Sequence, residues 1–539
     1  MKTRLAALIL FATLAGVAAA QSTDPTAEGK AWWAHIQFLA DDKLEGRNVG
    51  TPGFDKAVEY VEEQFKAIGL KPAGISGYRQ PVQLDRRVLV AEESRLTLVR
   101  DGKEQPLVIG QDATLTARGE LDGSLEAPLV FVGYGLSIPD AGWDDFAGLD
   151  LKGKIAVYVN AFPPAKVSDN VKSHVNTADE RWLALKRAGA IGVAIITPRA
   201  PGAAAAAAPA PAASAVPATP APTFTLLDRT LVDAAGEQVA INVTGRGIDQ
   251  LFAGTGHTSD EINQLVADAK PLPRFALPGT VKAQARLKRE TVASTNVVGV
   301  FEGSDPVLKS EFVVMSAHLD HVGLGRPVNG DALYNGAMDD ASGVAAMIET
   351  ARLLKSSGVK TKRSVLFVAV TAEEKGLLGS KYFAGKPTVA FTQIVADINL
   401  DMFLPLYPLK VLEVQGLAES SLGESARAAA ATMGVAVQTD REPAQNRFIR
   451  SDQYSFIRKG VPSLAFKFGY EFGSPEETIR LNWVRDIYHK PSDDLNQPVN
   501  LEAAATFNRV IMALLQRVAS DVARPTWNAD SFFKRFVQR

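Results

Sequence analysis

Continuous apolar runs, rather than alternating ones, recur in the C-terminal part of the chain. Three of them span residues 312–315, 364–370 and 394–400, and stretches with helical periodicity such as 343–354 lie between them. Continuous apolar strands separated by helices are typical of a parallel sheet that is covered on both faces. The pattern therefore predicts an α/β fold with a mixed, mostly parallel central sheet flanked by helices.

The pattern changes between about residues 90 and 277, where short β-like runs dominate and His and clustered carboxylates are scarce. We predict that a separate β-rich domain interrupts the catalytic one. Within it, residues 200–222 are nearly pure Ala and Pro, a composition that prevents a regular helix and favours an exposed loop. The predicted domains are a catalytic domain formed by residues 27–89 and 286–525, an insert of residues 90–285, and a C-terminal tail of residues 526–539.

The N-terminus has the pattern of a secretory signal peptide over residues 1–20. Lys2 and Arg4 precede an apolar run that ends in three alanines before Gln21. The run is shorter than the ~20 residues that a membrane span needs. We expect the mature chain to be exported to the periplasm or secreted, without attachment to the membrane.

Composition limits the partners and the kinds of metal ligand and nucleophile that the chain can use. The chain has 46% apolar and 22% charged residues, and its net charge of −2 offers no electrostatic case for nucleic acid. Cysteine is missing from the sequence, which excludes disulfides, thiolate zinc ligands and a cysteine nucleophile. Any metal must use nitrogen and oxygen ligands.

Chemically active side chains follow the three apolar runs. His318 comes after the first run, Glu373 and Glu374 after the second, and Asp401 directly after the third. Because the carboxyl ends of parallel strands meet at one edge of a sheet, we expect these residues to lie close together.

Together with Asp339 and His489, these residues form the set of side chains that a two-zinc hydrolase needs. The predicted ligands are His318, Asp339, Glu374, Asp401 and His489. Asp339 is the candidate for the carboxylate that must bridge two metals about 3.5–4 Å apart. Glu373 is left as a general base, and Asp320 is placed to orient the imidazole of His318. We expect His321 to be structural or to support a ligand.

The stretch from Ala317 to Asp494 resembles the co-catalytic di-zinc aminopeptidases, metallopeptidase family twenty-eight. Residues 38–53 are similar to the start of that peptidase domain, and residues 132–135 and 150–155 resemble the protease-associated domain often inserted there. The motifs that carry the main resemblance are Ala317-His318-Leu319-Asp320, Asp339-Asp340-Ala341-Ser342-Gly343, Ala372-Glu373-Glu374, Asn399-Leu400-Asp401-Met402, Arg450-Ser451-Asp452 and Tyr488-His489.

The resemblance implies a zinc exopeptidase fold, two Zn²⁺ ions with Co²⁺ or Mn²⁺ as substitutes, and the same ligands, base and orienting residue as above. It also implies a cis peptide bond between Asp339 and Asp340. Tyr488 resembles the tyrosine that steadies the oxyanion in the carboxypeptidase branch. Gln453 is a departure, because many relatives carry His there and Gln cannot titrate as His does.

The leading expectation is an exported aminopeptidase that removes N-terminal residues from peptides with a free N-terminus, since a negative ligand shell favours an α-ammonium nearby. One alternative is a carboxypeptidase of the glutamate carboxypeptidase type, whose substrate carboxylate would need cations. The candidates are Arg447, Arg450, Lys467 and Arg480. A non-catalytic, receptor-like binding protein is the alternative from another class, although every ligand position is filled. Residue preference, oligomeric state, native metal, C-terminal processing and the role of the insert stay open.

Overall fold

The computed structural model describes residues 24–198 and 221–537. The predicted signal peptide and most of the Ala/Pro-rich segment lie outside the described residues. Within the described ranges, every helix is too short or too polar to cross a membrane.

The described strands and helices follow one another along the whole chain. The strands are β1 (Lys71–Pro72), β2 (Arg79–Leu89), β3 (Arg95–Arg100), β4 (Lys103–Leu107), β5 (Ala113–Leu115), β6 (Gly123–Phe131), β7 (Ser137–Ile138), β8 (Trp143–Asp144), β9 (Ile155–Val159), β10 (Gly192–Ile196), β11 (Thr223–Leu226), β12 (Ala240–Val243), β13 (Phe275–Ala285), β14 (Leu287–Phe301), β15 (Phe312–His318), β16 (Gly323–Val328), β17 (Asp331–Tyr334), β18 (Ser364–Val370), β19 (Ile394–Asn399), β20 (Val411–Gln415), β21 (Ala436–Gln438) and β22 (Ser463–Phe468). The α-helices are α1 (Pro25–Leu39), α2 (Pro52–Ile68), α3 (Asp169–Val175), α4 (Ala178–Arg187), α5 (Gly245–Phe252), α6 (Ser259–Ala267), α7 (Ser342–Ser356), α8 (Leu378–Gly385), α9 (Leu422–Ala431), α10 (Gln453–Ile457), α11 (Pro475–Asp486) and α12 (Leu501–Ser520).

The larger sheet has the order β11-β2-β14-β18-β15-β19-β22-β20-β21, and β1 pairs with β14. Its middle strands β18, β15, β19 and β22 run parallel, whereas β11, β2 and β14 pair antiparallel on one side. On the other side β20 is antiparallel to β22 and parallel to β21. The predicted mixed α/β fold is confirmed, with most of the parallel pairing in the middle of the sheet.

Apolar cores cover both faces of this sheet, which explains why its strands are continuously apolar. In β18, Val365 and Phe367 pack into a core shared with α1, α2, α7, α9 and α12. Leu366 and Val368 point to the opposite face, where Phe383 of α8 and residues of α10 pack. Successive side chains of a strand point to opposite faces, so a strand buried on both sides needs apolar residues at every position.

A second sheet, of order β4-β3-β13-β6-β9-β10-β12-β5, is built from strands between residues 95 and 285. Its core includes Phe131, Val157 and Ile241, and α5 and α6 cover it. One short strand from this range, β11, instead pairs with β2 at the edge of the larger sheet. The exact boundaries of the insert therefore stay a prediction.

Candidate metal centre

Three adjacent parallel strands bring the first candidate residues to one edge of the larger sheet. His318 is the last residue of β15, Glu373 and Glu374 follow β18, and Asp401 follows β19. Since β15 lies between β18 and β19, these carboxyl ends are neighbours, as the apolar runs predicted.

Asp339 lies between two imidazoles. Its Oδ1 is 3.1 Å from Nε2 of His318, and its Oδ2 is 3.1 Å from Nε2 of His489. The peptide bond that follows it, to Asp340, is cis, as the resemblance implied. The carboxylate of Asp493 accepts hydrogen bonds from the backbone N–H groups of Met338 and Asp339, at 2.8 and 3.0 Å. Both oxygens of Asp339 are thus directed at different histidines.

Two ligand groups share Asp339. On one side, Nε2 of His318 lies 3.9 Å from Oδ1 of Asp401. On the other side, Nε2 of His489 lies 3.2 Å from Oε1 of Glu374. Each group offers imidazole nitrogen and carboxylate oxygen, the donor types that zinc accepts without cysteine.

The surroundings of Glu374 test whether these residues fit a cation. Its buried Oε1 lies 2.9 Å from Nδ1 of His321 and 3.2 Å from Nε2 of His489, and neither nitrogen is aligned to donate a hydrogen bond to it. The nitrogen and oxygen donors are therefore close together without being hydrogen-bonded to one another. This donor set fits divalent metal ions.

The electrostatics of the cluster follow from burial and proximity. Burial opposes ionisation of Asp339, yet the contacts with His318 and His489 hold its pKa well below the usual range. Burial also lowers the pKa of His489, but Asp339 and Glu374 overcome this and raise it to about 10. Burial raises the pKa of the Glu373 carboxyl well above its ordinary value. The ionised carboxylate of Asp339 thus lies between two imidazoles, whereas burial favours the neutral form of Glu373.

Two neighbours of the predicted ligands have different surroundings. Asp340 directs its carboxylate at backbone N–H groups of Gly343 and Met402, at 2.9 and 3.0 Å, and so holds the start of α7. His321 is buried, and its Nδ1 lies 2.9 Å from Oε1 of Glu374 without hydrogen-bond alignment. This contact with a predicted ligand is of the kind expected from the sequence, in which His321 is structural or supports a ligand.

Asp320 orients His318 through its backbone rather than through its side chain. Its backbone carbonyl, not its carboxylate, accepts the hydrogen bond from Nδ1 of His318, at 3.0 Å. This bond fixes the tautomer that leaves Nε2 free as a ligand. The carboxylate of Asp320 accepts the backbone N–H groups of Glu373 and Glu374, at 3.0 and 3.3 Å. The side chain therefore positions the turn after β18.

Arg47 is a positioning residue that the sequence argument missed. Its buried guanidinium donates to the backbone carbonyls of Leu39, Leu319, Asn335 and Gly336. Burial lowers its pKa to about 10, against the attraction of nearby carboxylates. Only its place in the segment similar to the start of the peptidase domain hinted at a role.

A cavity of about 280 Å³ adjoins the cluster. Asp339, Glu373, Asp401 and Tyr488 form part of its wall. The ring of Tyr488 stacks on that of His489, with 3.9 Å between the ring centroids. The wall also contains all four basic residues named from the sequence, Arg447, Arg450, Lys467 and Arg480.

Gln453, the departure from the family pattern, is buried beside this cavity. Its Oε1 accepts a hydrogen bond from Asn399 at 2.7 Å, and its Nε2 donates to the backbone carbonyl of Phe448 at 3.0 Å. The amide thus ties the end of β19 to the segment before α10.

Comparison with known proteins adds to this geometry. Residues 296–515 match the model of peptidase family M28. The chain is 29% identical over 320 residues to a probable leucine aminopeptidase 2 of Aspergillus oryzae, covering 56% of this chain and 61% of that protein. A probable leucine aminopeptidase 2 of Aspergillus fumigatus is 30% identical over 223 residues, covering 40% of this chain and 42% of that protein. The chain therefore aligns with less than two thirds of either relative.

A solved structure shares the fold. The aminopeptidase from Aneurinibacillus sp. strain AM-1 aligns with a TM-score of 0.52 and 20% identity, covering 93% of this chain and 99% of that one. At this identity the likeness concerns the fold alone.

Proposed function

Because residues 296–515 belong to peptidase family M28, we propose that the chain is a zinc-dependent aminopeptidase that releases N-terminal residues from peptides. One observation carries the proposal: the two oxygens of Asp339 each face a different histidine, His318 and His489. Such a carboxylate could supply one oxygen to each of two ligand sets that contain an imidazole, as a two-metal site needs. The names of the aligned relatives support the same activity.

Two Zn²⁺ ions would be held by five side chains, and Co²⁺ or Mn²⁺ could replace them in an N/O site. Zinc, when bound, supplies Lewis-acid chemistry that polarises the peptide carbonyl and lowers the pKa of water. The ligands would be His318, Asp339 and Asp401 for one ion, and His489, Asp339 and Glu374 for the other.

The chain's own residues would handle the proton and the developing charge. Glu373 borders the cavity beside Asp339 and Asp401, where it can accept a proton from the attacking water. The water oxygen would bond to the carbonyl carbon as Glu373 takes up the proton, and Glu373 would then deliver that proton to the leaving nitrogen as the carbon–nitrogen bond breaks. Tyr488 would donate its phenolic hydrogen to the oxyanion, and Asp320 would position Glu373.

The negative charge of the site is the reason why we propose substrates with a free N-terminus. The carboxylates of Asp339, Glu373, Glu374 and Asp401 are close together and attract an α-ammonium group. The remaining elements of the proposal are export through the signal peptide of residues 1–20 and an insert over residues 90–285 related to protease-associated domains. No nucleic-acid partner and no membrane attachment of the mature chain are proposed.

The test combines metal analysis with hydrolysis. We expect near two zinc ions per chain, and cleavage of an unblocked aminoacyl substrate that a chelator abolishes. Asp339→Asn should lose metal and activity together. Glu373→Gln should retain metal and lose activity by about 10²-fold or more. Metal-free protein that hydrolyses the substrate unchanged would refute the proposal.

A carboxypeptidase is the second candidate, because four cations line the cavity beside Glu373. Cations of this kind would bind a C-terminal carboxylate. Peptides blocked only at the amino end separate the two activities, since an aminopeptidase cannot cleave them and a carboxypeptidase can.

A further inference from the structure

The wall of the cavity beside Glu373 combines four basic side chains with the carboxylates of Asp339, Glu373 and Asp401. Two of its cations have an acidic neighbour: Arg447 lies 2.9 Å from Glu442, and Arg480 lies 3.8 Å from the buried carboxylate of Glu413. These two pairs leave Lys467 and Arg450 to be explained.

Lys467 projects from β22 and is only 6% exposed. Its Nζ donates to the backbone carbonyls of Asp401 and Met402, at 2.5 and 3.1 Å. The nearest carboxylate oxygen, Oδ1 of Asp401, is at 4.0 Å, and a third N–H group remains for another acceptor. Arg450 is exposed, and its one hydrogen bond to the described residues goes to the backbone carbonyl of Gln445, at 3.3 Å.

A third donor in the wall is left unpaired. Gln415 is the last residue of β20 and is 2% exposed. Its Nε2 is buried and has no hydrogen-bond partner among the described residues. An unpaired buried N–H group costs free energy that an acceptor supplied by a ligand would remove.

From these three donors we propose that the cavity binds the side-chain carboxylate of an N-terminal aspartate or glutamate. The inference deepens the proposed aminopeptidase function and rests on it. A carboxylate offers acceptors to Lys467, Gln415 and Arg450, whereas an apolar side chain of the same size would leave the third N–H group of Lys467 and Nε2 of Gln415 without acceptors. The volume of about 280 Å³ accommodates a short side chain.

Charge compensation within the metal cluster does not account for all three donors, Lys467, Arg450 and Gln415. Lys467 is close enough to Asp401 to serve that purpose, but Arg450 is exposed and has no carboxylate partner among the described residues. Gln415 is neutral and cannot compensate charge. A substrate acceptor explains all three.

The test compares glutamyl and glutaminyl substrates that share one leaving group and differ only in the side-chain charge. We expect kcat/KM to be at least about tenfold higher for the glutamyl substrate. Arg450→Gln and Gln415→Met should each reduce that ratio. Arg427→Gln serves as the matched control, because Arg427 is an exposed arginine of α9 outside the cavity wall.

Titration calorimetry supplies a readout that does not depend on turnover. The metal-loaded protein should bind L-glutamate more tightly than L-glutamine, and Arg450→Gln should weaken only the former. Faster hydrolysis of leucyl and glutaminyl substrates than of glutamyl ones would overturn the inference and leave the aminopeptidase intact. Cleavage restricted to amino-blocked peptides would overturn both, with the cations then bound to a C-terminal carboxylate.

Discussion

Nε of Arg47 donates a hydrogen bond to the backbone carbonyl of Leu319 across 3.0 Å. The bond joins the segment after α1 to the loop that immediately follows His318. The same guanidinium reaches Asn335 and Gly336, just before Asp339. One side chain from the N-terminal part of the chain thus holds the two loops that carry both members of the His318–Asp339 pair.

Arg47→Met should destabilise the protein. The change keeps most of the side-chain volume but leaves several buried carbonyls unpaired, so a loss of about 3 kcal/mol or more is expected. The midpoint of thermal unfolding should fall by about 5 °C or more. The exposed Arg427→Met is the control and should change the midpoint little; equal midpoints for the two variants would contradict the role.

Asp320→Asn should reduce catalytic activity while leaving the metal content largely unchanged. An amide can accept one of the two backbone N–H groups of Glu373 and Glu374, but its NH₂ group repels the other. We expect kcat/KM to fall about 10–100-fold. Metal content measured in parallel should stay near that of the wild type, because the backbone carbonyl that orients His318 is retained. Loss of metal as the first effect would show that the carboxylate, and not only the backbone carbonyl, is needed to hold the His318 ring in place.

Tyr488→Phe tests the oxyanion role. Phenylalanine keeps the ring stacked on His489 and removes only the hydroxyl. If the hydroxyl stabilises the transition state, kcat should fall about 100-fold while KM changes little. An unchanged kcat would show that the ring only packs.

His174 should make stability depend on pH. It is buried against Tyr454, and burial, with Arg458 and Arg535, lowers its pKa from 6.5 to about 4. A histidine whose pKa is depressed by folding contributes stability that is complete above pH 6.5 and is lost as the pH falls from 6.5 to about 4. The loss should approach about 3 kcal/mol.

His174→Phe should flatten this part of the pH profile, measured by urea unfolding at several pH values between 4 and 7. Burial raises the pKa of Asp145 to about 6, which gives an opposite slope in the lower part of this window. The difference in unfolding free energy between the variant and the wild type at each pH isolates the contribution of His174. Parallel pH profiles of the two proteins would contradict the prediction.

The middle of the larger sheet could be predicted because its signal is local. Strands buried on both faces need apolar residues at every position, and residues 364–370 match β18 from end to end. β11 shows the opposite case. Three of its four residues are half-buried and only Leu226 is buried, so no alternation identifies the sheet they join, and pairing with β2 depends on a partner far away in sequence.

The candidate site likewise contains residues that could be predicted from the sequence and roles that could not. His318, Glu374 and Asp401 could be grouped because each follows a predicted strand. Asp320 could not be assigned to an atom, since its carbonyl and its carboxylate are both near His318 in sequence, and only the turn after β15 decides which one faces the ring.

The alternation of buried strands and helices and the residue types at the strand ends can be predicted from the sequence, because burial periodicity and ligand chemistry depend on neighbours in the chain. Three relations appear only in the folded protein: Arg47 supports the His318 loop, Nε2 of Gln415 lacks a partner among the described residues, and four cations meet beside Glu373. These relations join segments far apart in the chain, and their distances depend on how the whole sheet and its helices pack.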